Sequence, residues 1–313
     1  MTLDDLERDL LGLIPDGTNS VVIHSGLWGI LRHIEGAPED LPARIVDRML
    51  AWAQDGLTVV FPTYAFEFPR TQTFDLVRTR ATTGVIAETF MAHPDVRRMA
   101  QPMNSYAVAG PRAEELLALP CTTSWGSDSA MGWFEANNTT YISLGVSVLL
   151  SCSYFHFAEE KARVPYRYFK RFLGTLFDDG REVGPCSETM YVRPLGCPHD
   201  FLGTEVDRRL EAVGLKRRPA REGGVLVEAL SMNDVNRMTM DLVTEDAYAL
   251  IVENGREGLR KWVAEGGLEA EKAAVPAEQQ VELPELGRHA AESRKNLRVS
   301  RWRPGDRSVR TGR

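Results

Sequence analysis

Cysteine is scarce in this sequence, and long apolar runs are missing. Four cysteines occur among the 313 residues and none forms a Cys-x-x-Cys pair, which excludes a disulfide framework and favours reduced thiols. No window approaches the roughly 18 consecutive apolar residues of a membrane span, and the N-terminus lacks the basic and apolar regions of a secretory signal. We therefore predict a cytoplasmic protein with no membrane partner.

Three ligand-binding signatures are absent as well. The sequence contains neither Gly-x-Gly-x-x-Gly nor Gly-Lys-Ser/Thr, which excludes a dinucleotide fingerprint and a P-loop. The segment Cys197-Pro198-His199-Asp200 has no second ligand pair at usable spacing. It is therefore interpreted as a loop, and no metal cofactor is predicted.

The net charge of −7 conceals two regions of opposite sign. Residues 288–313 contain nine Lys or Arg and two acids, whereas residues 1–287 contain 28 basic and 42 acidic residues. An acidic body repels nucleic acid and favours amine-bearing ligands, so no nucleic-acid partner is predicted. The composition favours a single domain over residues 1–267 and a basic, flexible tail over residues 268–313.

Apolar residues follow helical and strand periodicity in turn along the chain. The spacing of Thr2 and Asp5 predicts a capped first helix, and buried strands are predicted at 20–24 and 57–61 with a helix at 41–52 between them. This alternation predicts an α/β (α+β) fold with a mixed central β-sheet flanked by helices. The same patterns predict strands at 106–109, 140–144 and 225–230, helices at 85–90, 113–119, 130–135, 202–213 and 245–253, a hairpin about Asp178-Asp179-Gly180, and a long loop at 63–83.

Two segments carry candidate chemistry. The strand at 20–24 runs into Ser25-Gly26-Leu27, where uncovered backbone N–H groups would bind a ligand, although a tight strand–helix turn gives the same pattern. On a helix, Ser153, His156 and Glu159 would share one polar edge. The carboxylate would then hold the imidazole as a general base near neutral pH; a buried core histidine beside a surface glutamate is the alternative.

A third segment, Pro165–Phe172, interleaves basic and aromatic residues. Eight residues in an acidic protein are too few to indicate a nucleic-acid surface. We interpret the segment as a half-buried strand or as a contact for an anionic ligand.

Five short motifs lie at His24–Leu27, Gly56–Thr63, Arg98–Ser105, Ser124–Ser129 and Ser153–Glu159. In this order and spacing the chain resembles the aminoglycoside 3-N-acetyltransferase family, from about Ser20 to about Glu253. The family motifs are His-Ser-Ser-Leu, Gly-Thr-Leu-x-x-Pro-Thr, Arg-Ser-x-His-Pro-x-x-Ser, Ser-Phe-Gly-x-x-Ser and Thr-x-x-His-x-x-Glu. The chain carries other residues at Gly26, Met99, Gln101, Trp125 and Ser153.

The resemblance implies a coenzyme A-dependent N-acyltransferase with acyl-CoA as donor, in which the acceptor amine attacks the thioester directly. His156 would accept the proton, Glu159 would orient His156, and Ser153 would donate to the oxyanion or hold the substrate. Further residues are implied to bind the donor: His24, Ser25, Gly26 and Leu27 for pantetheine and pyrophosphate, and Arg98 and Ser105 for phosphate oxygens.

The implied acceptor is a small-molecule amine: an amino sugar, an aminoglycoside or a related biosynthetic amine. A polycationic sugar would suit Glu160, Asp178, Asp179 and Asp200, whereas an anionic acceptor such as a nucleotide-linked amino sugar would suit Arg167, Lys170 and Arg171. The predicted acceptor-binding residues are Tyr64, Asp128, Glu160, Arg167 and Lys170.

Two other functions stay open at this point. One is a catalytically inactive homologue that binds coenzyme A or another ligand. The other is an amidase- or esterase-type hydrolase with Ser25 or Cys152 as nucleophile, which the missing Gly-x-Ser-x-Gly elbow disfavours. A homodimer is compatible with each of these functions.

Overall fold

The computed structural model describes residues 1–36, 39–197, 200, 203–220 and 223–281. Most of the predicted basic tail, residues 282–313, therefore lies outside the described residues, as do Pro198 and His199. The strands are β1 (Ser20–Ser25), β2 (Thr58–Pro62), β3 (Thr73–Asp75), β4 (Arg97–Arg98), β5 (Tyr106–Ala109), β6 (Thr140–Leu144), β7 (Tyr168–Asp178), β8 (Arg181–Val192) and β9 (Val227–Ser231).

Helices separate most of these strands, and a capping box of Thr2 and Asp5 begins the first one, as predicted. No helix in the described part of the chain is long and apolar enough to cross a membrane. The helices are α1 (Leu3–Leu11), α2 (Leu27–Leu31), α3 (Leu41–Gln54), α4 (Phe68–Thr71), α5 (Val85–Met91), α6 (Ala113–Leu117), α7 (Ala130–Ala136), α8 (Val148–Ser151), α9 (Phe155–Ala162), α10 (Thr204–Ala212), α11 (Met232–Glu245), α12 (Glu253–Ala264) and α13 (Gly267–Ala274).

The central sheet has the strand order β4-β5-β2-β1-β6-β9. Strand β1 is parallel to both β2 and β6, whereas β5 and β9 are antiparallel to their neighbours. The prediction of a mixed sheet flanked by helices is confirmed. The carboxyl ends of the three parallel strands lie at one edge of the sheet, which is where α/β proteins bind ligands.

Side chains of β1 alternate between two apolar cores on opposite faces of the sheet. Val21 and Ile23 pack with the helices α1, α3 and α5, and Val22 packs on the other face with α7, α9, α10 and α11. Because successive strand residues point to opposite faces, His24 projects on the same face as Val22. Strand β1 therefore delivers His24 to the face that carries α9.

A second sheet is built on the long hairpin β7–β8, whose other neighbour is β3. The turn residues Asp179 and Gly180 have φ of +49° and +81°, as the two-residue turn of a tight hairpin requires. The predicted hairpin is thus confirmed, and most side chains of β7 are half-buried, as predicted for Pro165–Phe172.

The C-terminal helices differ from the prediction. Helix α11 was not predicted, and the helix expected at 245–253 is mostly the connection between α11 and α12. Helix α11 buries Val235, Leu242 and Val243 on one face, but two further positions of that face are the polar residues Asn236 and Thr239, which interrupt the apolar pattern. The Asp246 carboxylate accepts from the Tyr248 amide beyond the end of the helix.

The predicted boundary at residue 267 coincides with the first residue of α13. This helix is docked on β7, because Leu268 and Val275 pack against Tyr168 and the Tyr168 hydroxyl donates to Glu271 at 3.1 Å. The division of the chain into one domain and a tail stays a prediction, with residues 268–281 packed against the hairpin sheet.

Candidate active site

The predicted His-x-x-Glu pair forms on helix α9. His156 and Glu159 lie three residues apart within the helix, and Nδ1 of His156 is 2.6 Å from Oε2 of Glu159. The helix begins at Phe155, so Ser153 precedes it rather than sharing its face, and the Ser153 carbonyl accepts from the His156 amide at 3.1 Å. The expectation of three residues on one helical edge is therefore correct for two of them.

The carboxylate of Glu159 is fully buried and surrounded by donors. The Tyr166 hydroxyl donates to Oε1 at 2.6 Å, and Nη2 of Arg167 lies 2.8 Å from Oε2. Burial alone would raise the pKa of Glu159, but the Arg167 guanidinium and the hydrogen bonds from His156 and Tyr166 outweigh it and lower that pKa to about 2. Glu159 is therefore an anion at any ordinary pH.

The tautomer of His156 follows from its two neighbours. Nη2 of Arg167 is also 3.1 Å from Nδ1 of His156, but a guanidinium only donates. With Nδ1–H donating to Glu159, the lone pair of the neutral ring is on Nε2. Burial and the Arg167 charge lower the pKa of His156 despite the opposing effect of Glu159, so the imidazole is neutral, and able to act as a base, at neutral pH.

The imidazole of this pair is partly exposed and packs against one aromatic ring. The His156 side chain is 23% exposed, and its ring centroid is 4.8 Å from that of Trp125. Trp125 belongs to the predicted Ser124–Ser129 turn, so the fold brings two of the five sequence motifs together at the imidazole.

Ser153 is held by a pair of tyrosines. Its Oγ is 2.9 Å from the hydroxyl of Tyr64, which is 2.8 Å from the hydroxyl of Tyr106. Tyr64 is buried, and burial raises its pKa to about 12, so the hydroxyl stays protonated. Tyr64, predicted to bind the acceptor, therefore contacts the segment that precedes α9 directly.

The predicted donor-binding turn lies at the carboxyl end of β1. Gly26 precedes helix α2 and donates its amide to the Leu144 carbonyl of β6 at 2.8 Å. A Cβ at Gly29 would be 1.9 Å from the Gly145 carbonyl oxygen, so only glycine allows α2 to pack this closely against the end of β6. The sequence reasoning correctly located a glycine-dependent turn.

This turn fits the thioester donor that the resemblance implies. The first amides of α2, at Leu27 and Trp28, have no acceptor within the helix, and Gly26 carries no side chain to cover them. The His24 ring packs 5.1 Å from Tyr141 and 6.3 Å from Tyr64, and burial lowers its pKa to about 3. His24 is thus a neutral residue packed beside Tyr64, and both His24 and the adjacent Ser25 are half-buried.

Arg98 and Ser105 do not fit the predicted role in phosphate binding. Both are buried, and Nε of Arg98 donates to Ser105 and Thr63 at 3.2 Å each. Arg98 also donates to the carbonyls of Thr79 and Thr63 and stacks 4.6 Å over the Phe74 ring. These contacts direct its donors into the protein, so Arg98 connects the 63–83 segment to the central sheet. That segment was predicted as one long loop, but it contains helix α4 and strand β3.

A buried carboxylate that the sequence analysis did not single out connects two motif segments. Glu188 of β8 accepts from Ser124 Oγ at 2.5 Å and from Gln101 Nε2 at 3.0 Å, and it also accepts from the Asn104 side chain and the Met103 amide. Gln101 stands where the family motif has histidine. No sequence signal marks Glu188, because its partners lie more than 60 residues away along the chain.

The basic candidates for acceptor binding are mostly engaged elsewhere. Arg167 is buried against Glu159 and donates to the Tyr191 carbonyl at 3.0 Å, so the prediction that it binds the acceptor is replaced by a role in the His156–Glu159 pair. Lys170 is half-buried on β7 with its Nζ 5.3 Å from the Phe172 ring centroid. No contact joins it to His156.

The acidic candidates divide into two groups. Asp179 lies at the tip of the hairpin, ion-paired with Arg78 at 3.1 Å. The 11 residues from Tyr168 to Asp178 place that tip about 30 Å along the strand from the Arg167 end. Asp128 and Glu160, in contrast, line one cleft beside Trp125. Asp200 is exposed, and its carbonyl accepts from the Val252 amide.

Within the described ranges, no group of three or more His, Cys, Asp or Glu side chains is arranged to hold a metal ion.

Comparison with known proteins identifies the family. The family model for aminoglycoside 3-N-acetyltransferase matches residues 23–242. The curated aminoglycoside N(3)-acetyltransferase IV of Salmonella sp is 28% identical over 176 residues, which are 55% of this chain and 62% of that protein. The chain thus spans less than two thirds of this relative's length.

Solved structures share the fold. The apoenzyme of aminoglycoside acetyltransferase AAC(3)-IVa matches with a TM-score of 0.64 at 21% identity, covering 82% of this chain and 96% of that one. The same enzyme in complex with apramycin gives 0.62 at 21% identity, covering 80% and 94%, and AAC-IIIb with CoASH gives 0.60 at 18%, covering 78% and 97%. With the matching family model covering more than half of its length, the chain belongs to the aminoglycoside 3-N-acetyltransferase family.

Proposed function

We propose that this protein transfers the acetyl group of acetyl-CoA to an amine of an aminoglycoside or a related amino sugar. The observation that carries the proposal is the contact of 2.6 Å between His156 Nδ1 and the buried carboxylate of Glu159, which suits a general base. Family membership supports N-acetyl transfer, and the neighbours named with apramycin and CoASH support the two substrate classes.

His156 would serve as the base that the attacking nitrogen needs. Its Nε2 accepts a proton from the acceptor amine as the N–C bond forms, and the anionic Glu159 stabilises the resulting imidazolium. The C–S bond then breaks, and the proton held by His156 is available to the departing thiolate. Arg167 fixes the Glu159 carboxylate throughout.

Ser153 would act on the thioester oxygen. Its hydroxyl is oriented by Tyr64 at 2.9 Å, and an oriented donor stabilises negative charge that develops on a carbonyl oxygen. The turn at Ser25–Leu27 would hold the pantetheine and phosphate portion through the backbone amides of Leu27 and Trp28, since the Gly26 amide donates to Leu144. This assignment gives the motif segments Ser153–Glu159 and His24–Leu27 distinct parts in the reaction.

The hydrolase alternative receives little support from the geometry. Cys152 is buried, and burial raises its pKa to about 12, so it is a thiol rather than a nucleophilic thiolate. An inactive binding homologue would have no need for the buried ionic partners of His156.

A thiol-release assay tests the proposal. Purified protein is mixed with acetyl-CoA and either apramycin, a nucleotide-linked amino sugar or a simple amine, and released CoASH is measured. We expect release with apramycin, reduced about 10²–10⁴-fold in His156→Ala because the base is lost. The matched control is His33→Ala, since His33 is exposed and should leave the rate unchanged.

Two results would contradict the proposal. Full thiol release by His156→Ala would show that His156 is not the base. If no amine led to release of CoASH while equilibrium dialysis showed that acetyl-CoA still binds, the result would favour an inactive binding protein.

A further inference from the structure

Proton transfer to His156 would place two cations beside one carboxylate. Nδ1 of His156 is 2.6 Å from Oε2 of Glu159, and Nη2 of Arg167 is 2.8 Å from the same oxygen. Nη2 of Arg167 is also 3.1 Å from Nδ1 of His156, and both Glu159 and Arg167 are almost completely buried. When Nε2 of His156 accepts the proton of the acceptor amine, the site therefore carries a net positive charge with little water to stabilise it.

The other ionisable groups around His156 do not balance this charge. Arg193 is exposed, and its positive charge lowers the pKa of His156 further. Tyr166 is neutral, because burial raises its pKa well above the ordinary value. Burial also raises the pKa of Glu160, the second acid of α9, to about 7, so this carboxyl group is only partly ionised at neutral pH. The charged groups thus leave the imidazolium short of a stabilising partner.

The indole of Trp125 lies against both cations. Its ring centroid is 4.8 Å from that of His156, with the rings tilted by 42°, and 5.8 Å from Cζ of Arg167. Both distances are within the roughly 6 Å over which an aromatic face attracts a cation, an attraction that is strongest for tryptophan and grows where water is excluded. Trp125 is 5% exposed, and it stands where the family motif carries phenylalanine.

Strand β8 holds the indole and the guanidinium in position. The Ser124 amide donates to the Thr189 carbonyl at 2.8 Å, which anchors the turn that carries Trp125. Two residues further along β8, the Tyr191 carbonyl accepts from Nη1 of Arg167 at 3.0 Å. The aromatic face is therefore in place beside the imidazole before any substrate binds.

We propose that the indole face of Trp125 stabilises the imidazolium form of His156 through a cation–π interaction, and so lowers the barrier to proton transfer from the acceptor amine. The proposal rests on the proposed function, in which Nε2 takes that proton as the N–C bond forms and gives it to the thiolate when the C–S bond breaks. Arg167 is charged throughout, so only the attraction to His156 is gained as the proton moves, and an interaction gained in that step raises kcat. Trp125 acts through His156 and is therefore a positioning residue.

The test changes the charge distribution of the indole while preserving its shape. Tryptophans with one, two or three ring fluorines are incorporated at position 125, since each fluorine withdraws electron density from the ring face and weakens its attraction for a cation. The pKa of His156 is measured by NMR titration of ¹³C-labelled histidine in the substrate-free protein. The sequence contains six histidines, and His156→Ala identifies the signal of His156 by its loss. We expect the pKa of His156 to fall with each fluorine, by about 0.5–1 in total.

Trp52 provides the matched control. It is also 5% exposed, but it lies in the apolar core on the opposite face of the central sheet from Trp125. The same fluorinated residues at position 52 should leave the pKa of His156 unchanged. A merely structural role of Trp125 predicts no graded response, because the fluorinated rings have nearly the same size.

Thiol release shows whether the interaction acts on the reaction. With acetyl-CoA and apramycin, we expect kcat to fall about 3- to 10-fold from tryptophan to the most fluorinated residue, while the KM for acetyl-CoA is unchanged. Trp125→Leu removes the aromatic face and Trp125→Phe keeps a weaker one, so kcat should be lower in Trp125→Leu than in Trp125→Phe. If Trp125→Leu does not unfold cooperatively in urea, Trp125→Phe and the fluorinated series carry the comparison.

The outcomes separate this proposal from the proposed function. A pKa of His156 that is the same throughout the position-125 series, or that changes as much in the position-52 series, would overturn the cation–π interaction. Thiol release by the wild-type protein would in both cases leave the proposed function standing. A graded pKa with a constant kcat would also overturn the proposal, because the interaction would then not act on proton transfer. A graded pKa in a protein that releases no CoASH with any amine would support the contact and contradict the proposed function.

Discussion

Glu159 and Glu188 are both buried carboxylates, yet their acidities change in opposite directions. Glu159 contacts the Arg167 guanidinium, and its pKa falls to about 2. Glu188 is 3% exposed and accepts only from neutral donors, among them Ser124 and Asn104, and burial raises its pKa above the ordinary value. The two sites therefore differ chiefly in whether one partner carries a positive charge.

The comparison shows what each carboxylate is suited to do. Several neutral hydrogen bonds do not fully offset the desolvation of Glu188, whereas at Glu159 the Arg167 guanidinium together with the hydrogen bonds from His156 and Tyr166 more than offsets it. A permanent anion can hold His156 in one tautomer and stabilise its charged form. A carboxyl group held only by neutral donors is better suited to connecting segments of the chain, and Glu188 joins β8 to the 101–104 and 124 segments.

The largest expected effect on thiol release comes from removing the negative charge of Glu159. Glu159→Gln keeps the side-chain shape but loses the charge that stabilises protonated His156, so we expect thiol release to fall about 10²–10⁴-fold. The variant also leaves Arg167 buried without its carboxylate. The double variant Glu159→Gln/Arg167→Met removes that unpaired charge, and it should regain stability in urea denaturation without regaining activity. Recovery of activity in the double variant would show that Glu159 is only a structural partner.

The sequence predicted part of this site, for a physical reason. His156 and Glu159 lie three residues apart, and helical geometry alone brings them together. The contact of Arg167 with Glu159 depends on where the chain leaves α9 and enters β7. The interleaved basic and aromatic residues of this segment do not reveal whether Arg167 or Lys170 points inward. The prediction therefore assigned to the acceptor a residue that serves Glu159.

The same difference between local spacing and distant contacts explains which parts of the fold were predicted and which were not. Strongly apolar segments such as β1 and α3 were located from their periodicity. Helix α11 was not, because the polar residues Asn236 and Thr239 occupy two positions of its buried face. Glu188 was not, because its partners are distant along the chain.

The second prediction concerns Arg167→Met, a substitution that removes the charged partner of Glu159 and leaves a site that resembles that of Glu188. Arg167→Met leaves Glu159 with neutral donors and should cost about 3–5 kcal/mol of unfolding free energy at pH 7, since a buried ionic partner is removed. The wild-type stability gained from the low pKa of Glu159 is present above about pH 4.5 and is lost as the pH falls towards 2. The difference between wild type and variant in urea denaturation should therefore shrink over that range. A difference that does not depend on pH would contradict the assigned role of Arg167.

The third prediction concerns Glu188, whose effect on the unfolding free energy should depend on pH in the opposite direction. Glu188→Gln loses acceptor capacity for the surrounding donors, and we expect it to lower the unfolding free energy by about 1–3 kcal/mol at pH 4. Because the pKa of Glu188 is raised in the folded protein, wild-type stability falls as the pH rises above about 4.5 towards that pKa. The deficit of the variant should then become smaller at neutral pH, as measured by the same denaturation series. A deficit that grows with pH would mean that Glu188 has a cationic partner.

The smallest expected effect concerns a contact in which neither partner is charged. Tyr64→Phe removes the hydroxyl that orients Ser153 at 2.9 Å, and one neutral hydrogen bond is worth about 0.5–1.5 kcal/mol, which corresponds to a decrease in kcat of roughly 2- to 10-fold. Tyr106→Phe is the matched control, because its hydroxyl contacts Tyr64 but no contact joins it to Ser153; it should lower kcat less. Equal losses of kcat in the two variants would mean that the tyrosine pair acts as one unit. The double variant Ser153→Ala/Tyr64→Phe would then show whether Tyr64 affects kcat by orienting Ser153. If it does, the double variant is no slower than Ser153→Ala alone, since the hydroxyl that Tyr64 orients is already gone.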